Sequence, residues 1–168
     1  MLEHFGGFSD ANFLEKCDED SIDDIPMSHY YETPGLTKLI INNSSSKFLV
    51  GSLNIDSLRA KIDTHFAPAI SELEQNKIKF HAICVQDCFL DDDNEMALAG
   101  FEIEGFNLIS QKRSCSENGG LGIYLREDFK YKVLKGLCVS SNFWEALVIE
   151  ISHPLMNNNI ILGNIYCT

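Results

Sequence analysis

Apolar and polar residues follow two different periods along this chain, and the change from one to the other predicts its elements. KFLVGSLNI (47–55) is short and apolar on both faces, which predicts a buried strand that ends at Asn54. In residues 57–77, apolar side chains recur every three to four positions, as in an amphipathic helix. FHAICVQD (80–87) predicts a second buried strand. Together these segments form a βαβ-like unit.

Two features set the expected limits of the helix. Asp56 or Ser57 can cap its first turn, because the side-chain oxygen of either residue accepts a hydrogen bond from a free backbone N–H group. Pro68 lies inside the helical pattern and has no N–H group. We therefore expect a kink or a restart of the helix near Ala67.

The rest of the chain is rich in strand patterns. GFNLIS (105–110) leads through a polar loop with a Gly-Gly turn to LGIYL (121–125). KYKVLKGL (130–137) predicts a short, more exposed strand, and WEALVIEIS (144–152) alternates as a half-buried strand does. NNNIILGNIY (157–166) combines an Asn-rich turn with an apolar strand. One helix followed by several strands predicts an α+β fold with mostly antiparallel later strands.

Charge divides the chain into two parts. Residues 1–46 carry nine acidic side chains against two lysines, which predicts an acidic, disordered leader before a globular domain at 47–168. The formal net charge of the chain is -12, which argues against tight binding to nucleic acid. Neither a membrane span nor a signal peptide is recognisable, so we expect an intracellular protein.

The six cysteines form no Cys-x-x-Cys pair. Cys84, Cys138 and Cys167 occur in apolar strand patterns, which indicates reduced, buried thiols. A zinc site of Cys84, Cys88 and a distant histidine is conceivable, but this spacing matches no common ligand pattern. We therefore expect no zinc.

Two polar residues stand at the ends of predicted strands. Asn54 and Asp87 would emerge at the same sheet edge if their strands are neighbours, and their oxygens could hold a hydrated Mg²⁺ ion. Such an ion polarises a phosphoryl oxygen and stabilises a departing alkoxide. Alternatively, Asn54 begins a turn and Asp87 caps the following loop. Spacing alone favours this structural interpretation.

Five segments occur in an order that resembles a known family. The resemblance is to the first half of the endonuclease domain of LINE-type (non-LTR) retrotransposons, and it covers roughly residues 48–168. That domain belongs to the endonuclease/exonuclease/phosphatase superfamily, with apurinic endonucleases and deoxyribonuclease I. The segments are SLNIDSLRAKID, AICVQDCFLDDD, GFNLISQKRS with NGGLGIYL, FWEALVIEI and NIILGNIY.

The resemblance implies a fold and an activity. The family fold is a four-layered α/β sandwich in which two sheets pack face to face with helices outside, and its activity is Mg²⁺-dependent nicking of DNA by a water nucleophile. From this we expect a partial sandwich consisting essentially of one sheet with a flanking helix. The inner face of that sheet would be bare and available for self-association.

The resemblance also implies site residues. Asn54 matches the first-strand Asn near the metal-bound phosphate, and Asp87 occupies the position of the metal-binding Glu. Tyr166 matches a Tyr near the phosphate, although a Tyr that closes a buried strand is an equal alternative. Glu145 matches a common Trp-Glu position, for which we expect a structural role rather than that of a ligand.

Several features depart from the family pattern. Asp87 is one methylene shorter than Glu, and Cys167-Thr168 stand where the family has Arg-Pro. Neither the family's Asp-x-Asn motif nor its terminal Ser-Asp-His motif follows Tyr166. We therefore expect a truncated, inactive endonuclease domain with weak or absent Mg²⁺ binding and weak DNA binding. The alternatives are a non-enzymatic binding module and another phosphatase of the superfamily.

Overall fold

The computed structural model describes residues 48–90, 98–114, 119–154 and 157–167. The predicted leader (1–46) and the aspartate run at 91–93 lie outside these residues. No helix in the described ranges is long and apolar enough to cross a membrane.

The described residues form eight strands and one helical segment. The strands are β1 (Val50–Asn54), β2 (Ala82–Gln86), β3 (Phe106–Gln111), β4 (Leu121–Arg126), β5 (Lys130–Val133), β6 (Val139–Ser140), β7 (Trp144–Ser152) and β8 (Ile160–Cys167). The helical segment consists of α1 (Leu58–Lys61), a π-helical turn (Ile62–Phe66) and α2 (Ala67–Gln75).

The strands form two sheets. The first has the order β1-β2-β4-β3, in which β1 and β2 are parallel and the other pairs are antiparallel. In the second sheet, β8 pairs with β7 along nearly its whole length, so β5 and β6 pair with the other edge of β7. The predicted βαβ unit and the antiparallel later strands are both present.

The expectation of essentially one sheet with a bare inner face is wrong, because the two sheets pack on each other. Every second side chain of β7 points towards the first sheet and packs against side chains of β2 and β4. These inward-facing side chains form a common core. That core includes Ala82, Cys84, Ile109, Leu121, Ile123, Leu125, Leu147, Ile149 and Ile151. The layers are therefore helix, first sheet and second sheet.

A second core lies between the helical segment and the outer face of the first sheet. It includes Leu58, Ile62, Phe66, Ile70, Ile83, Val85 and Tyr124. The helical residues in this list are those that the three-to-four-residue period places on one face.

The helical segment begins and restarts where the sequence predicts. Ser57 Oγ accepts a hydrogen bond from the Ala60 N–H at 3.4 Å, which caps α1. The N–H of Ala67 donates to the carbonyl of Ile62, five residues back, and α2 begins at Ala67. The wider turn suits Pro68, which has no N–H and whose ring would clash with the carbonyl four residues earlier in a regular α-helix.

Two expectations about burial are wrong. Strand β1 is exposed rather than buried, with Val50 39% and Leu53 44% accessible, because β1 lies at a sheet edge and pairs only with β2 in the described sheet. Cys167 is exposed, since the outward-facing positions of β8 are not covered within the described ranges. Two further outward-facing residues of β8, Ile161 and Ile165, are 58% and 60% accessible.

Candidate active site

Three strand ends that carry predicted site residues meet at one end of the sandwich. Asn54 lies opposite Gln86 in the parallel β1–β2 pair, and Asp87 directly follows Gln86. Asn54 and Asp87 therefore lie at the same edge of one sheet, as the sequence predicts. The second sheet adds the third residue, because Asn54 Nδ2 donates a hydrogen bond to the Tyr166 hydroxyl at 3.4 Å. The catalytic and metal-binding roles of these residues remain predictions.

Asn54 also begins a turn, as the structural alternative to a metal-binding role predicts. Its Oδ1 accepts a hydrogen bond from the Asp56 N–H at 3.2 Å. Lys61 then contacts this turn, with Nζ donating to the Ile55 carbonyl at 2.7 Å and to Asp56 Oδ2 at 3.2 Å. The turn therefore holds the exposed Asn54 side chain at the site.

Asp87 has a half-buried side chain and an unusual backbone conformation. Its φ of 59° lies in the left-handed region, and Phe89, with a φ of 52°, lies there too. The Asp87 carbonyl accepts the Ser57 N–H at 2.9 Å, which joins it to the start of the helix. Across the described residues, no side chain hydrogen-bonds or ion-pairs with the Asp87 carboxylate.

A buried polar layer lies next to the site and connects the two sheets. Gln86 Nε2 donates to Asn164 Oδ1 at 2.6 Å and to Ser52 Oγ at 3.1 Å. Asn164 Nδ2 donates to the carbonyls of Val85 and Gly122 at 2.9 and 3.0 Å. These bonds satisfy polar groups that would otherwise be costly to bury.

Glu145 is fully buried and forms an ion pair with Arg113, whose Nη2 lies 3.1 Å from Glu145 Oε2. Both carboxylate oxygens of Glu145 also lie 3.2 Å from the backbone nitrogen of Gly120, which donates to them. This arrangement agrees with the structural role expected for Glu145. It also connects β7 to the Gly119–Gly120 turn, where both φ values are positive.

The cysteine beside Asp87 is not a reactive group. Burial, with a smaller effect of the Asp87 and Glu145 charges, raises the pKa of the Cys88 thiol to about 12. A thiol with so high a pKa stays protonated near neutral pH, which disfavours its action as a nucleophile or a metal ligand. In the part of the chain that the structure describes, no three His, Cys, Asp or Glu side chains are grouped to hold a metal.

The donor set at the site fits a hydrated Mg²⁺ ion in part. Mg²⁺ prefers oxygen ligands and usually keeps several waters, so one or two protein oxygens are sufficient. Asp87 offers a carboxylate with no protein partner in the described ranges, and Asn54 offers an amide oxygen that already accepts one hydrogen bond. Asp87 is thus the main candidate ligand.

Sequence reasoning missed the polar groups that support the site. Asn164 is a polar residue on the inward-facing side of an apolar strand, next to the apolar positions Leu162 and Tyr166. A polar residue at an inward-facing position of an apolar strand was the feature of the sequence that could have indicated a buried hydrogen-bond network. Arg113 gave no such signal, because it lies in a polar loop and its partner is distant in sequence.

The geometry defines a mixed α/β sandwich with a polar site at one end, and a solved structure shares this fold. The chain is similar to the crystal structure of an AP endonuclease from Leishmania major, with a TM-score of 0.53 and 15% sequence identity. The match covers 70% of this chain and 39% of that chain, so the similarity is to part of the endonuclease fold. Neither a protein-family model nor a curated protein sequence matches the chain.

Proposed function

We propose that this domain supplies the metal-side and phosphate-side residues of a Mg²⁺-dependent DNA phosphodiesterase of the LINE endonuclease type. The observation that supports the proposal best is that Asn54 and Asp87 lie at the same edge of one sheet and that Tyr166 of the other sheet is hydrogen-bonded to Asn54. The shared fold with part of an AP endonuclease supports the same class of chemistry.

Each residue has a distinct part in this proposal. The Asp87 carboxylate holds the cation, which when bound polarises a phosphoryl oxygen. The Asn54 amide and the Tyr166 hydroxyl are hydrogen-bond donors that orient the phosphate. Their mutual hydrogen bond keeps the two donors together before a phosphate arrives.

We further propose that the 168-residue chain does not cleave DNA alone. Hydrolysis by water needs a general base and donors for the developing charge, in addition to a cation. The family motifs for those roles do not occur within residues 1–168, and no three His, Cys, Asp or Glu side chains are grouped to hold a metal among the described residues. The net charge of -12 also weakens attraction to DNA.

The test uses two plasmid substrates, one undamaged and supercoiled and one with abasic sites. We expect no Mg²⁺-dependent nicking by the chain alone. A chimera that joins it to the second half of a related endonuclease domain should nick DNA, and Asp87→Ala should abolish that activity. Chelator-sensitive nicking by the unmodified chain, lost in Asp87→Ala, would refute the proposed inactivity. A folded chimera whose activity is unchanged by Asp87→Ala would refute the site.

A second candidate function is a non-enzymatic binding module. It is favoured by the exposed apolar side chains of Ile161 and Ile165 on the outer face of the second sheet. Exposed apolar patches on a sheet are typical of association surfaces. This candidate predicts concentration-dependent association that does not depend on Asp87.

A further inference from the structure

The backbone around Asp87 is held from two sides. On one side, the carbonyls of Asp87 and Cys88 accept the N–H groups of Ser57 and Leu58 at 2.9 and 3.0 Å. On the other side, the N–H of Cys88 donates to the Gly120 carbonyl at 3.1 Å, and the N–H of Phe89 donates to the Gly119 carbonyl at 2.7 Å. The Gly119–Gly120 turn therefore binds one side of the segment that contains Asp87.

The left-handed conformation of Asp87 needs such support. A residue with a side chain at positive φ is strained and persists only where its surroundings over-determine it. Asp87 and Phe89 are both in this region, and Cys88 between them is completely buried. The hydrogen bonds from Cys88 and Phe89 to the turn thus support the backbone conformation of the segment that carries the Asp87 side chain.

The turn itself is fixed by Glu145. The Gly120 N–H donates to the fully buried Glu145 carboxylate, and Arg113 forms an ion pair with the same carboxylate. The fit is close, because a Cβ atom at Gly119 would lie 2.9 Å from the Arg113 guanidinium carbon and 3.0 Å from Glu145 Oε2. An ion pair therefore joins Arg113 to Glu145, and hydrogen bonds run on from Glu145 through Gly120 to Cys88.

We propose that Glu145 is a positioning residue for Asp87, acting through the Gly119–Gly120 turn. The inference rests on the proposed function, since it concerns the candidate metal ligand of that site. Glu145 does not touch the cation or the phosphate; it sets the backbone from which Asp87 reaches them. Outer groups of this kind typically change metal affinity by about 10- to 100-fold when they are removed.

A single substitution of Arg113 or Glu145 is not a clean test, because removing one buried charge leaves the other unpaired and destabilises the fold. Two neutral double variants avoid this. Arg113→Met with Glu145→Gln keeps an oxygen that accepts the Gly120 N–H. Arg113→Met with Glu145→Leu removes that oxygen while burying a side chain of similar size. The matched control is Glu74→Gln, which changes a carboxylate paired with Arg126 elsewhere in the domain.

The first readout is amide hydrogen exchange by NMR at Cys88 and Phe89, compared with Ile83 inside β2. We expect exchange at Cys88 and Phe89 to be about tenfold faster or more in the Leu double variant. The Gln double variant and the Glu74→Gln control should remain close to the native chain, and Ile83 should be unchanged in all three. Equal exchange in the Gln and Leu double variants, or acceleration that includes Ile83 to the same degree, would overturn the inference.

The second readout is Mn²⁺ affinity, measured by paramagnetic broadening of the Asp87 amide signal. We expect binding about 10- to 100-fold weaker in the Leu double variant than in the Gln double variant. Equal affinity in the two variants would overturn the positioning role. A native chain that binds no Mn²⁺ would refute the proposed metal site, and the exchange rates would then decide the role of Glu145 independently.

Discussion

Gln86 donates a 2.6 Å hydrogen bond to Asn164, and this bond joins the two sheets beside the Asn54–Tyr166 pair. Asn164 is 2% accessible and also donates to two carbonyls of the first sheet. We expect Asn164→Ala to lower the free energy of unfolding by about 2–4 kcal/mol, because it leaves buried polar groups without partners.

Urea unfolding followed by circular dichroism measures this loss. The control is Asn159→Ala, which removes an exposed hydrogen bond to Glu150 and should cost about 0.5 kcal/mol or less. Equal effects of the two substitutions would contradict a supporting role for the buried layer.

The substitution Tyr166→Phe should affect the activity of the candidate site much more than the stability of the fold. The Tyr166 hydroxyl contacts Asn54 through an exposed hydrogen bond, so its removal should change stability by less than about 1 kcal/mol. In the active chimera, loss of a donor to the phosphate should lower the nicking rate by about 10-fold or more. Tyr131→Phe, on an exposed part of β5, is the matched control and should leave the rate unchanged. An unchanged rate in Tyr166→Phe would support the alternative that this tyrosine only closes a strand.

The thiols should differ in reactivity in the folded chain. Burial raises the pKa of Cys84 to about 11 and that of Cys88 to about 12, whereas Cys167 is exposed. Because alkylation requires the thiolate, Cys84 and Cys88 should react with iodoacetamide at pH 8 about 100-fold more slowly than Cys167. Mass spectrometry of the labelled peptides measures the rates. In urea the three rates should converge, and rapid native labelling of Cys88 would contradict its burial.

Stability should fall in mild acid because of His81. Burial lowers the pKa of His81, although Asp128 opposes this effect and Arg126 adds to it. His81 Nδ1 accepts the Leu49 N–H at 2.9 Å, which requires an unprotonated nitrogen. As the pH falls below about 6.5, the unfolded chain binds this proton before the folded chain does, so the free energy of unfolding decreases.

His81→Asn should remove this acid dependence, because the Asn oxygen can accept the same N–H without titrating in this range. Chemical unfolding at pH 7.5 and at lower pH values measures the slope. His65→Gln alters an exposed histidine and should leave the slope unchanged. A slope that persists in His81→Asn would assign the pH dependence to other groups.

The self-association predicted from the sequence should involve the outer face of the second sheet, since the two inner faces cover each other. Ile161→Lys with Ile165→Lys adds positive charge to exposed positions and should preserve the fold. Light scattering should show less concentration-dependent association in this double variant. Val50→Lys with Leu53→Lys changes exposed apolar residues on the edge strand of the other sheet and serves as the control.

The sequence predicted those features of the helical segment that depend only on neighbouring residues. The period of the helix, the Ser57 cap and the restart at Ala67 depend on neighbouring residues, and all three are present. The shared edge of Asn54 and Asp87 followed from the βαβ unit, because parallel neighbours end at the same edge.

The division into two sheets could not be predicted in the same way. The inward-facing side chains of β7 and β4 are apolar whether the strands share a sheet or face each other across a core, so periodicity does not distinguish the two. The Arg113–Glu145 and Gln86–Asn164 contacts are likewise invisible locally, because their partners are far apart in the chain. Exposure of β1 depends on its edge position, which is a property of the whole sheet.

The Asn54–Tyr166 hydrogen bond joins residues 112 positions apart, and the Gln86–Asn164 bond spans 78 positions. Such pairings raise the contact order of the domain, and closing these long loops slows folding. Strand β8 is translated after the seven other described strands, so the Val85 and Gly122 carbonyls cannot pair with Asn164 before β8 has been made. The contact between Asn54 and Tyr166 at the candidate site likewise requires β8.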